Sequence, residues 1–188
     1  MANLNYRVRL IFIRHAESEA NTTFETICGQ SSACPLSPLG LQQAALLGKR
    51  FKYQKANFDY LFSSTAVRAK LTADIALAAI NVDPSQLILS DALLEQSQGD
   101  WEGKNRFQCY NDEVMLRMKE LHIEFSAPNG ESIRAVQKRT LAFLEPFIDE
   151  AKRRSVEANR EVSMVIFTHA NVIRAALQHF SQSEPKDT

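Results

Sequence analysis

"RLIFIRHAESEAN", Arg9 to Asn21, is an apolar run that stops abruptly at Arg14 and His15 and then turns polar. The stretch from Arg7 to Ile13 starts by alternating and becomes continuously apolar. That is the pattern of a strand buried on both faces, as in a parallel sheet. Far along the chain, "VSMVIFTHAN" repeats it: a strand from Val162 to Thr168 that ends on His169. Two similar strands, each ending on a histidine, suggest one shared sheet edge.

The segments between them supply the rest of the fold. Glu17 to Cys34 reads as a polar loop. "SPLGLQQAALLGKRFKY" reads as a helix, with Ser37 as N-cap, Pro38 in the first turn, and a stripe of Leu39, Ala44, Leu47 and Phe51. "FDYLFSS" is a short strand, and "TAVRAKLTADIALAAI" a helix ended by the turn-prone "NVDPS". "QLILS" reads as a third strand and "LLEQSQGDWEG" as a loop. "FQCYNDEVMLRMKELH" reads as one helix, broken by "APNG". "ESIRAVQKRTLAFLEPFIDEAKRR" is a long helix in which Pro146 predicts a kink. "ANVIRAALQHF" is the last helix, and about residues 181–188 form a polar, disordered tail. Strands alternating with helices predict an α/β fold, a three-layer α/β/α sandwich around a mostly parallel central sheet. No repeat, low-complexity tract or linker divides the chain, so residues 1–188 read as one domain.

Composition excludes several functions. Hydrophobic residues make up 45% and charged residues 23% of 188 residues, as in a globular protein. The formal net charge of +0 gives no broad field for nucleic acid or anionic membrane. No apolar run approaches the roughly 20 residues of a bilayer span, and the N-terminus lacks a signal-peptide core. Cys28, Cys34 and Cys109 have no CxxC spacing, so they read as reduced thiols. These features together predict a cytoplasmic location.

In open α/β sheets, ligands bind outside the carboxyl ends of the strands. The first strand ends on Arg14 and His15, the second on Ser63 and Ser64, with Arg68 in the first turn of the helix that follows. The late strand ends on Thr168 and His169. If these strands are parallel neighbours, two arginines and two histidines meet on one edge. Such a cluster repels itself unless it holds an anion, and guanidinium geometry matches phosphate.

These residues also match a family. "RHAESEAN" resembles the signature of the histidine phosphatase superfamily, also called the phosphoglycerate mutase-like family (here its branch 1). "PLSPLGLQQA", "SSTAVRAKLTA", "LLEQSQGDWEG", "NGES" and "THANVIRA" resemble its further motifs, in the family's order. An ordered set of this kind is far more specific than any one motif. The resemblance implies a metal-independent phosphatase acting on phosphomonoesters of small metabolites, with no cofactor. His15 would be the nucleophile that carries a covalent phosphoryl group, with a backbone carbonyl fixing its tautomer. Arg14, Arg68 and His169, the last as a cationic imidazole, would clamp the phosphoryl oxygens. Glu95 would be the proton donor and then the base, with Glu17 a weaker candidate. Asn21, Gly29, Ala170 and Asn171 would complete the phosphate site, and Trp101 would be a packing anchor.

Some positions depart from the family's pattern. Ala16 and Ala170 replace glycines, and Cys28 stands where a hydroxyl or amide is expected. Family members usually continue past the last helix into a further strand; here a polar tail follows Phe180, which leaves the oligomeric state open. The short interval from Glu95 to His169, whose Lys104, Arg106, Arg117 and Lys119 form no arginine pair, favours hydrolysis. Asn171 resembles the asparagine of the mutases, so cofactor-dependent phosphoglycerate mutase chemistry stands as the alternative. A non-catalytic binder of phosphorylated ligands and a zinc hydrolase rank below both.

Overall fold

The apolar runs form four strands, β1 (Val8–Arg14), β2 (Tyr60–Ser64), β3 (Leu87–Ser90) and β4 (Val162–Thr168), in a computed structural model that describes residues 6–23 and 25–181. They make one sheet in the order β1-β4-β2-β3, and every pairing is parallel. The two histidine-ended strands are direct neighbours: Arg14 pairs with Thr168, and the His15 amide donates to the Thr168 carbonyl at 2.8 Å.

Alternation along the strands builds two cores. Val165 and Phe167 of β4 and Leu61 of β2 face Phe51, Ala73, Ala76 and Leu77. These belong to α2 (Pro38–Tyr53) and α3 (Val67–Ala78). On the opposite face, Val162, Met164, Ile166 and Phe62 pack against Leu93, Leu144 and Ala151. The last two lie on α6 (Ile133–Ala158), and α7 (Ala170–Ser181) packs beside α6 through Val136, Val172 and Ala175. This is the expected three-layer sandwich, and its sheet is entirely parallel. Leu144 is 0% exposed in the middle of the second core. Leu144→Ala therefore costs about 2–5 kcal/mol of stability, by lost burial and the cavity left behind. A urea midpoint that moves by less than about 1 kcal/mol equivalent contradicts this core assignment.

Two elements differ from the sequence expectation. The loop after β1 contains one helical turn, α1 (Glu19–Thr22), nucleated by a capping box between Ser18 and Asn21. The segment expected as one helix is two, α4 (Arg106–Cys109) and α5 (Asp112–Leu121). Asn111 breaks them because its side chain accepts from the Val114 amide at 3.0 Å and starts a new helix. The expected long helix is α6, with Pro146 inside it and buried Leu144 and Ala151 anchoring it on either side. Ser181 closes α7, and the rest of the expected polar tail, 182–188, lies outside the described residues. No helix among the described residues is long and apolar enough to cross a membrane.

Candidate active site

The parallel register brings the strand ends together. Arg14, His15, Arg68, Glu95, Asn21, Gly29 and Asn171 all border one cavity of about 200 Å³ at the carboxyl edge of the sheet. Ala170 does not. It is exposed and borders a separate surface depression, because at the start of α7 it is the next residue, Asn171, that turns toward the cavity.

His15 is 8% exposed. Its Nδ1 lies 2.7 Å from the Ala16 carbonyl oxygen. A carbonyl only accepts, so Nδ1 carries the proton and Nε2 keeps its lone pair. Burial, above all, pushes the His15 pKa down to about 4, and the Arg68 and Arg14 charges push the same way. The imidazole is thus neutral near pH 7.

His169 lies behind it, with the ring centroids 5.1 Å apart. It is 0% exposed, and its Nε2 is 2.9 Å from Ser64 Oγ. Its Nδ1 is buried with no hydrogen-bond partner among the described residues. Sequence reasoning expected a cationic imidazole here. The structure corrects this: burial, then the neighbouring Arg68 and His15, hold its pKa far below the usual imidazole range. Positive charge in the cavity therefore comes from arginines.

Arg68 is 2% exposed because α3 starts directly after β2. Its guanidinium donates to the carbonyls of Ser31 and Gly29, tying the long loop to the sheet edge. Gly29 sits at φ +51°, and a Cβ there would approach the Glu102 side chain to 2.2 Å. That side chain cannot easily move, since Glu102 Oε1 accepts from the Gln30 and Gln98 amides at 3.1 and 2.9 Å. Cys28 also borders the cavity, and burial pushes its thiol pKa up.

Glu95 faces the arginines from the loop after β3. Burial raises its pKa above the ordinary carboxylate value, against hydrogen bonds from the Gln96 and Asn171 amides to Oε1. Glu17, the weaker acid candidate, is placed elsewhere: its Oε1 accepts from Ser37 Oγ at 2.6 Å. Its carbonyl lies where a Cβ on Gly40 would come within 1.9 Å. Glu17 fastens the start of α2 and does not border the cavity.

Several groups at the site were not singled out from sequence. Gln96, Gln98, Arg106 and Tyr110 border the cavity. Arg139 of α6 holds the Glu95 loop in place. It pairs with Glu131 at 2.8 Å and donates to the Ala92, Leu94 and Glu95 carbonyls at 2.8, 2.8 and 3.1 Å. The "NGES" motif was the one available signal for Glu131. Trp101 packs against Tyr110 and Phe125, as an anchor should.

The parallel sheet and the pocket at its carboxyl edge match the phosphoglycerate mutase-like fold of solved structures. A family model described as the histidine phosphatase superfamily (branch 1) matches residues 10–188, and the chain belongs to that superfamily. Its relatives carry two kinds of activity in their names. A candidate phosphoserine phosphatase 2 of Hydrogenobacter thermophilus is 30% identical over 169 residues, 89% of this chain and 75% of the relative. A 2,3-bisphosphoglycerate-dependent phosphoglycerate mutase of Nitrobacter winogradskyi is 27% identical over 180 residues, 94% of this chain and 83% of the relative. A solved mycobacterial glucosyl-3-phosphoglycerate phosphatase shares the fold with a TM-score of 0.81 at 21% identity, over 96% of this chain and 82% of that one.

Proposed function

We propose that the protein is a metal-independent phosphatase that hydrolyses phosphomonoesters of small metabolites through a phosphohistidine at His15. The observation that carries the reading is the tautomer of His15. With Nδ1–H held by the Ala16 carbonyl, Nε2 has a free lone pair in a cavity that also holds Arg14, Arg68 and Glu95.

In the first step Nε2 attacks phosphorus in line with the leaving oxygen. The P–N bond forms as the P–O ester bond breaks. Glu95, protonated, gives its proton to the departing alkoxide. Arg14 and Arg68 stabilise charge on the equatorial oxygens; His169 is fully buried and does not border the cavity. In the second step water attacks phosphorus and Glu95, now a carboxylate, takes its proton. The P–N bond breaks and inorganic phosphate leaves.

This assignment sets the pH profile. His15 must be neutral, so activity falls as pH drops through about 4. Glu95 must start protonated, so activity also falls as pH rises through its raised pKa. A bell-shaped kcat/KM is expected with an alkyl phosphomonoester, whose departing alkoxide needs the proton, after allowance for the substrate's own ionisation. An acid limb near the unperturbed imidazole value of about 6.5 counts against a burial-lowered pKa at His15.

The mutase reading has one observation in its favour: Asn171 and Arg106 both border the cavity, so two further polar side chains can hold a second anionic group. Phosphate release is measured against phosphoryl transfer across a panel of phosphorylated metabolites, with chelator present. Transfer from 2,3-bisphosphoglycerate without net hydrolysis replaces the phosphatase reading with the mutase one.

A further inference from the structure

A second cavity, of about 330 Å³, opens beside the first and shares Gln96, Gln98, Tyr110 and Asn171 with it. Its size is at the lower end of the ligand-pocket range, about 300–1,000 Å³. Beyond the shared residues its walls change character. Met118, Ile123, Phe125 and Ile133 give it an apolar surface, and Phe125 and Ile133 are themselves buried. From α7 come two polar groups, Arg174 and Gln178. The Arg174 guanidinium has no hydrogen-bond or ion-pair partner among the described residues. Gln178 Oε1 is buried with no donor facing it among the described residues. A buried acceptor left unpaired is costly, and native proteins seldom leave one without a use. An apolar wall, a free cation and an orphan acceptor in one cavity form a set that a single ligand can satisfy.

Building on the phosphatase reading, we infer that this cavity is the leaving-group subsite. It selects phosphomonoesters whose alcohol carries an apolar segment ending in a carboxylate. The phosphoryl group sits in the first cavity, and the ester oxygen lies at the junction near Asn171 and Gln98. The apolar segment covers Met118 and Ile123, and the carboxylate meets Arg174. An N–H or O–H on the segment would satisfy Gln178. A bare sugar phosphate leaves the apolar wall wet and Arg174 unpaired, so it is a poorer substrate.

The test uses binding, so that it does not depend on turnover. Calorimetric titrations with ω-carboxyalkylphosphonates of increasing chain length are compared with inorganic phosphate and with the matching methyl esters. Affinity is expected to rise up to about fourfold per methylene until the apolar wall is spanned. At that length the free carboxylate binds roughly tenfold more tightly than its ester. Arg174→Gln, a change at an exposed position, brings that carboxylate-to-ester ratio close to one. Affinities that ignore chain length, or a ratio that survives Arg174→Gln, overturn the subsite. Length-dependent binding by a protein that hydrolyses no phosphomonoester upholds the subsite and overturns the phosphatase reading instead.

Discussion

His15→Ala forms no acid-labile phosphoenzyme, and its turnover of a phosphomonoester falls by about 10⁴-fold to 10⁶-fold, the scale of removing a covalent nucleophile. The argument is geometric. Among the groups that border the cavity, His15 has a neutral ring, a fixed tautomer and a nitrogen lone pair free to attack. Its ring makes one hydrogen bond, to the carbonyl of the next residue, so truncation leaves the sheet and both cores intact. The urea midpoint should stay near that of the unchanged protein. Imidazole added to the variant can enter the space left by the ring and restore part of the turnover, since it supplies the same nucleophilic nitrogen. Retention of labelled phosphate on His15→Ala after acid-free denaturation would place the nucleophile elsewhere. His169 is the obvious competitor, but its ring is fully buried and its Nε2 already faces Ser64 Oγ.

The central strand β4 is buried on both faces, as its sequence predicts, whereas β1 is an edge strand and only half-buried. β1 and β4 read as strands because apolar residues on both parities leave no polar face, and β4 does serve both cores, through Val165 and Phe167 on one face and Met164 and Ile166 on the other. The split between α4 and α5 was not legible. Its cause is a single Asn111 cap inside a segment of otherwise helix-compatible residues, and periodicity does not register one cap. Arg14, His15 and Arg68 stood out because strand ends in an α/β sheet are where ligands bind. Arg139 did not. Its bonds reach Ala92 and Leu94 across 47 and 45 residues of sequence, and no local pattern carries that information. The charge state of His169 was misread for a related reason: burial decides it, and burial is a property of the packed fold.

Arg68→Ala is expected to lower kcat/KM by about 10³-fold, in the range of losing a preorganised donor to the transferring group. Two effects are mixed in that number. Arg68 is a phosphate clamp, and it also ties down the Gly29–Ser31 loop through backbone carbonyls. Arg68→Lys separates them only partly, since it keeps the charge and loses the planar fork. The pH profile separates them fully. The Arg68 charge pushes the His15 pKa down and also pushes the Glu95 pKa down, although burial is the larger influence on both. Removing it lets the His15 pKa rise, so the acid limb moves to higher pH. It lets the Glu95 pKa rise too, so the alkaline limb moves the same way. Arg68→Ala should therefore shift the whole bell toward alkaline pH, and Arg68→Lys should leave it close to its original position. A loose loop alone lowers activity without moving either limb. An unshifted profile in Arg68→Ala would mean that Arg68 organises the loop and does not act on the reacting groups.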